Sequence, residues 1–248
     1  MTAPVFVMDG PLPDGGGPAS LILDGAEGRH AVSVRRLRVG EEIVLTDGAG
    51  TGAVGTVSAV EGKDRLVVAV DAVRSEPPPA PRITVVQALP KGDRGELAVE
   101  TMTETGVDAI VPWSADRCIT QWKGERGAKS LGKWRATARE AAKQSRRLWI
   151  PEVTEPMTTA AVARLLAGAA FAGVLHESGT RPLAAAPLPA TGDIVLVVGP
   201  EGGVAPRELE AFAAAGAEPY RLGPTVLRTS TAGTAAAALL LTRSGRWG

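Results

Sequence analysis

The spacing of apolar and polar positions divides this 248-residue chain into two parts. In the first part, short runs of β-type residues recur at 5–7, 21–23, 42–45, 53–60 and 66–70, and glycine-rich turns such as DGAGTGAVG separate them. That rhythm predicts a small β-barrel or sandwich. One helical stretch, EGRHAVSVRRLRVG, interrupts it. The stretch SEPPPAPR at 75–82 then places four prolines in five positions. Proline fixes φ and donates no hydrogen bond, so the run reads as an extended spacer. Beyond it, apolar runs at 83–89, 109–112, 173–175 and 194–198 alternate with helix-period segments at about 93–105, 131–147, 158–167, 205–215 and 230–242. Such alternation predicts an α/β fold with a parallel sheet covered by helices. The expected division is 1–76 as a β-domain, 77–81 as linker and 82–248 as an α/β domain.

Composition narrows the setting. A single cysteine, Cys118, excludes a disulfide framework and points to a reducing, cytoplasmic location. The opening MTAPVFVMDGPLPDGG has neither a basic region nor a long apolar core, so no secretory leader is expected. The longest apolar stretch, TAAAALLLTRS, is too short to span a bilayer. No metal-binding motif stands out. Lys+Arg and Asp+Glu balance at 27 each, yet residues 1–81 carry 7 basic against 11 acidic groups, so the remainder is basic.

The basic excess concentrates in 117–149, where ten basic residues face two acidic ones. Arg135, Arg139, Lys143 and Arg147 recur every fourth position and so share one helical face. Leu131, Trp134, Ala138, Ala141 and Ser145 form the face expected to be buried. A plain solvated face is the competing reading, but such a face usually mixes charge signs, so this stripe reads as a phosphate-tracking surface for nucleic acid. Arg117, Gln144 and Arg146 lie in the same stretch and join the candidate contacts. Trp122 and Trp149 flank it, either to stack on bases or to pack in the core. Arg35, Arg36 and Arg38 form a second basic cluster, with His30 one turn earlier.

Candidate chemistry lies in two glycine turns. In VLVVGPEGGVAPRELEAF, a buried-strand run ends at Val198, and Gly199, Pro200, Glu201, Gly202 and Gly203 follow before a helix opens at Pro206. Neither a P-loop nor a dinucleotide fingerprint is present. Glu201 would repel a phosphate but tolerates a neutral or cationic ligand, and S-adenosylmethionine, an adenosine with a sulfonium, fits. The second turn, LGPTVLRTSTAGTAAAALLL, again leads into a helix, which Thr229 or Ser230 can cap. Two strand–loop–helix units with their loops at one sheet edge build a ligand crevice.

These residues resemble the SPOUT methyltransferases. GPEGG, a helix with an early glutamate (Glu208) and LG…VLRT.TA carry the likeness. The sequence is more specifically similar to the RsmE-like enzymes, which methylate N3 of a uridine in 16S ribosomal RNA. KGDRGELAVETMTETGVDAIVPW, KWRATAREAAKQSRR…PEV and LHE follow that family's order, and HAVSVRRLRVGEEI resembles its PUA-like RNA-binding barrel. One departure stands out: the family's LRTETA has glutamate where this chain has Ser230.

The resemblance implies a C-terminal trefoil knot, a homodimer, and a small-subunit rRNA substrate. It further implies S-adenosylmethionine held among three loops: Leu175, His176 and Glu177; Val198 to Gly203; and Leu222, Gly223, Val226, Leu227 and Thr229. Uridine N3 must lose its proton, so a cation beside the uracil oxygens is needed. Arg228 is the first candidate and Arg147 the second, with Glu177 as a candidate base. The helix from 229 to 241 is expected at the dimer interface, with Ala236 as its probe. Two other readings compete: a non-catalytic ribosome-assembly factor, which Ser230 favours, and a nucleotide-phosphate enzyme, which Glu201 disfavours.

Overall fold

A computed structural model describes residues 3–12 and 19–247. Part of the opening stretch read for a leader lies outside those residues. The chain separates into two compact units. One comprises residues up to Pro78 together with Ala142–Ile150; the other comprises Pro79–Ala141 and Pro151–Gly248. Residues 142–150 thus fold with the first unit, although they lie beyond the proline run in sequence.

The first unit is a five-stranded sheet built from β1 (Val5–Val7), β2 (Ser20–Leu23), β3 (Glu42–Thr46), β4 (Thr51–Glu61) and β5 (Arg65–Ser75), in the order β1-β3-β4-β5-β2. β1 runs parallel to β3, and the remaining pairs are antiparallel. Phe6, Leu23, Ile43, Leu45 and Leu66 close its core at 2% exposure or less. The expected helical stretch is short: α1 (Gly25–Arg29) widens into a π-turn over His30–Val34. The glycine-rich turn has a packing reason. Cβ atoms at Gly48, Gly50 and Gly52 would lie within 2.7 Å of Ile150, Trp149 and Leu148 respectively. Close approach lets the Gly50 amide donate to Leu148 O (3.1 Å) and the Ile150 amide to Gly48 O (2.9 Å). Trp149 is therefore a packing residue, and its indole N–H donates to Glu76 O at 3.2 Å.

The second unit comprises β6 (Arg82–Ala88), α2 (Arg94–Thr105), β7 (Ala109–Trp113), α3 (Gly124–Gln144, whose last residues belong to the first unit), β8 (Glu152–Val153), α4 (Thr159–Ala167), β9 (Phe171–Leu175), β10 (Arg181–Pro182), β11 (Asp193–Val198), α5 (Pro206–Ala214), β12 (Glu218–Arg221) and α6 (Thr229–Arg243). Its seven strands pair only in parallel, in the order β10-β12-β9-β11-β6-β7-β8. β6, β7 and β11 are buried along nearly their whole length because a parallel sheet is covered on both faces. Trp122 packs edge-on against Trp134, their ring centroids 4.9 Å apart, which settles its role as core.

α6 lies close against α2. A Cβ at Gly233 would sit 2.6 Å from Met102 Sδ, and the Thr101 and Thr234 hydroxyls meet at 2.6 Å. This corrects the expectation for Ala236. Ala236, Ala237, Leu240 and Leu241 are at most 1% exposed within a single chain, so their small size serves internal packing. Tryptophan at 236 would overpack this core rather than probe an interface. Thr231, Ala235, Thr242 and Arg243 are the residues of α6 that stay exposed.

Candidate functional site

β12, β9 and β11 are neighbours in the parallel sheet, so the loops after their carboxyl ends open at one edge. Those loops are 176–180, 199–205 and 222–228. The three expected segments therefore converge, at the position where open parallel sheets bind ligands.

The first glycine turn is tied on every side. Gly203 adopts φ +74, the conformation that favours glycine, whereas Gly199 and Gly202 serve close approach. A Cβ at Gly199 would stand 2.8 Å from Val204, and one at Gly202 would stand 3.1 Å from Arg117 Cβ. Glu201 Oε1 accepts the Lys91 amide at 3.3 Å and lies 3.9 Å from Arg94. Arg117, which the sequence grouped with the basic stripe, instead reaches this turn and donates to Gly202 O at 3.0 Å. Pro206 begins α5, and Glu208 in its first turn is 1% exposed.

The second turn is open. Gly223 to Arg228 are exposed, with Val226 at 87% and Leu227 at 40%. Arg228 is the N-cap residue of α6, and its carbonyl accepts the Thr231 and Ala232 amides. Thr229 is buried and bridges segments: it donates to Gly199 O at 2.7 Å and accepts from Gln87 Nε2 at 3.1 Å. Gln87, fully buried at the carboxyl end of β6, was missed by the sequence reading. Its signal was a lone amide in an aliphatic strand, and its Oε1 is buried without a partner. In the third loop the His176 amide donates to Tyr220 O at 2.9 Å. His176 Nδ1 accepts the Ser178 amide at 3.2 Å, which places the proton of the neutral ring on Nε2. Glu177 is exposed beside it.

Two nearby groups have shifted titrations. A hydrogen bond from Arg207 holds the Asp116 carboxyl below the usual carboxylate range. Burial pushes the Cys118 thiol up.

This edge suits S-adenosylmethionine. Val226 and Leu227 leave apolar side chains exposed at this edge, and Glu201 and Glu177 place carboxylates on its loops. Sequence comparison decides the family. Residues 76–241 match the RNA methyltransferase domain, and 23–71 match the RNA methyltransferase PUA domain.

The chain belongs to the RNA methyltransferase family.

It is 47% identical over 251 residues to a ribosomal RNA small subunit methyltransferase E of Mycobacterium bovis, covering 100% of this chain and 94% of that protein. The Bacillus subtilis protein of the same name is 28% identical, with 85% of each covered. Among solved structures, a ribosomal RNA small subunit methyltransferase E from Neisseria gonorrhoeae bound to S-adenosyl methionine is 29% identical, with 98% of each chain covered and a TM-score of 0.82. A putative methyltransferase from Legionella pneumophila in complex with the cofactor SAM is 27% identical, with 98% of each chain covered and a TM-score of 0.84. The chain is thus an α/β methyltransferase with a PUA-type first unit.

The basic residues of this methyltransferase do not form one exposed stripe. Lys143 is a correction: its side chain is 3% exposed, and its ammonium lies 3.0 Å from Glu27 Oε1, 3.4 Å from His30 Nδ1 and over the Phe6 ring. The spacing rule placed it on the arginine face, but packing in the first unit turns it inward. His30 is likewise held in this cluster, with its ring edge-on to Phe6. Arg135 donates to Val153 O and Glu155 at 3.0 and 2.9 Å. Arg139 and Arg147 are half-buried, whereas Gln144 and Arg146 are exposed. Arg147 belongs to the first unit and Arg228 to the second. Arg35, Arg36 and Arg38 are exposed, and Arg36 holds φ +56, unusual for a non-glycine residue. Among the described residues there is no cluster of His, Cys, Asp and Glu that could hold a metal, and no helix is long and apolar enough to cross a membrane.

Proposed function

We propose that this protein methylates N3 of a uridine in 16S ribosomal RNA, with S-adenosylmethionine as donor. The observation that carries the reading is the convergence of three loops at the carboxyl ends of β12, β9 and β11, one of them the turn that bears Glu201, in a chain of the RNA methyltransferase family. The bound cofactor supplies an electrophilic methyl on a sulfonium. Glu201 and Glu177 favour that cation, and Val226 and Leu227 cover the adenosine. Arg228 stabilises the negative charge that appears on the uracil oxygens as N3 loses its proton. Glu177 is the candidate acceptor for the proton. Arg35, Arg36, Arg38, Arg139 and Arg146 track RNA phosphates.

The same reading includes a trefoil knot, a cytoplasmic homodimer, and an interface on the exposed face of α6. Nucleoside mass spectrometry of 16S rRNA from cells with and without the protein tests the activity: 3-methyluridine persisting in its absence rejects it. Sedimentation equilibrium tests the dimer, and a monomer at micromolar concentration rejects it. A second reading, an RNA-binding assembly factor without catalysis, draws on Ser230. That residue is 3% exposed, so the glutamate of related sequences would be a buried carboxylate here. Isothermal titration with S-adenosylmethionine separates the two readings, since the assembly factor predicts no heat of binding.

A further inference from the structure

Glu208 is a buried carboxylate that no step of the reaction uses. It lies at the third position of α5, with 1% of its surface exposed. Three donors converge on it from three segments. The Ala205 amide, at the end of the first glycine turn, reaches Oε2 at 3.0 Å. The Asp116 amide, on the segment after β7, reaches Oε1 at 2.9 Å. The Thr159 hydroxyl, at the start of α4, reaches the same oxygen at 2.9 Å. Thr159 is itself fixed, because its oxygen accepts the Trp113 indole N–H at 3.2 Å.

Helix capping alone does not account for this arrangement. A glutamate at the third helical position normally reaches back only to the N-cap amide. Here it gathers the segment that bears Arg117 as well, and Arg117 returns to the turn through Gly202 O at 3.0 Å. Asp116 reinforces the junction from outside through its ion pair with Arg207. The glycine turn is thus closed into a ring: Glu208 to Asp116, Arg117 to Gly202, and Gly203 to Ala205 back to Glu208. Hydrogen bonds to an ionised carboxylate are about twice as strong as neutral ones, which suits a group that must hold backbone in one place.

Resting on the reading of this turn as the S-adenosylmethionine site, we propose that Glu208 is a positioning residue for cofactor binding, with Arg117 as its outer strap. The pair presets the turn in its binding shape, so binding pays no ordering cost there. Glutamine at 208 keeps the size of the side chain but has one carbonyl oxygen. Its amide then points a donor at a backbone N–H, either at Ala205 or at Asp116.

Titration calorimetry with S-adenosylmethionine well below the melting temperature tests this on the full-length protein. The unmodified protein is titrated first: no binding there rejects the cofactor reading, and this inference with it. Given binding, Glu208→Gln should raise Kd about tenfold or more, and Arg117→Gln about threefold, while RNA affinity of Glu208→Gln stays unchanged. Ile83→Val, a buried change at the opposite end of β6, serves as a stability control. The inference is overturned if folded Glu208→Gln binds within twofold of the unmodified protein, or if the control loses as much affinity for an equal loss of melting temperature. Should Glu208→Gln not fold, exposed Arg117→Gln decides: unchanged Kd overturns the proposal, and a threefold rise supports it.

Discussion

The turns at 199–205 and 222–228 both follow strands of the same parallel sheet, yet they are held in opposite ways. The first is braced by Lys91, Arg94, Arg117 and Glu208, and its ends at Val198, Val204 and Ala205 are buried. The second is anchored by Thr229 at its exit, and its apolar residues Val226 and Leu227 face solvent. Backbone that must recognise a ligand with its own amides and carbonyls has to be rigid before binding, because a loose turn would lose affinity to ordering. Side chains that cover a ligand by apolar contact can stay open until it arrives. The site on this reading combines a fixed floor with an adaptable cover.

The largest expected effect breaks the floor. Gly203→Val forces a β-branched residue into φ +74, a region closed to it, and should reduce S-adenosylmethionine affinity more than about a hundredfold in calorimetry. Normal affinity in a folded variant would remove the turn from the site.

Arg228→Ala probes chemistry at the edge of the cover. The kcat should fall about a hundredfold, comparable to loss of one oxyanion-stabilising donor, with little change in cofactor Kd. If Kd rises while kcat holds, Arg228 supports the cofactor rather than the uracil.

Val226→Asp places a charge where apolar contact is expected. Because Val226 is already 87% exposed, the melting temperature should not move, and Kd should rise about tenfold. An unchanged Kd would mean that the cover does not close over the ligand.

The smallest effect concerns the brace at Asp116. Its carboxyl titrates below its ordinary value because of the hydrogen bond from Arg207, so its contribution is present above the unfolded pKa and is lost as pH falls through the lowered folded one. Arg207→Ala should therefore shift acid unfolding slightly towards neutral pH, followed by circular dichroism. No shift would show the pair to be only a surface contact, as many exposed pairs are.

Lys143 offers a sharper stability test of the inward-turned basic face. Its replacement by alanine takes the ammonium away from Glu27 and His30 in the first unit, so a loss of about 2 kcal/mol is expected in urea unfolding.

Local pattern determined much of this protein. The alternation of the longer strands and helices, the two glycine turns and the family likeness are written in short stretches of chain, because periodicity, capping and turn chemistry are local effects, whereas the two-residue edge strands β8 and β10 left no such pattern. Helix α3 shows where that reach ends. Its four-residue spacing put Arg135, Arg139, Lys143 and Arg147 on one face, yet the helix ends at Gln144, before Arg147, and a helical face carries no label for what lies opposite it. Residues 142–150 pack on glycines 48, 50 and 52, roughly a hundred positions earlier, and that long-range match turns Lys143 inward. The same holds for Ala236, Gln87 and Glu208. Their residue types were visible in sequence. Whether a small residue meets a partner helix or a second chain, and which three donors a carboxylate collects, is set by segments distant in the chain, so tertiary structure alone decided it.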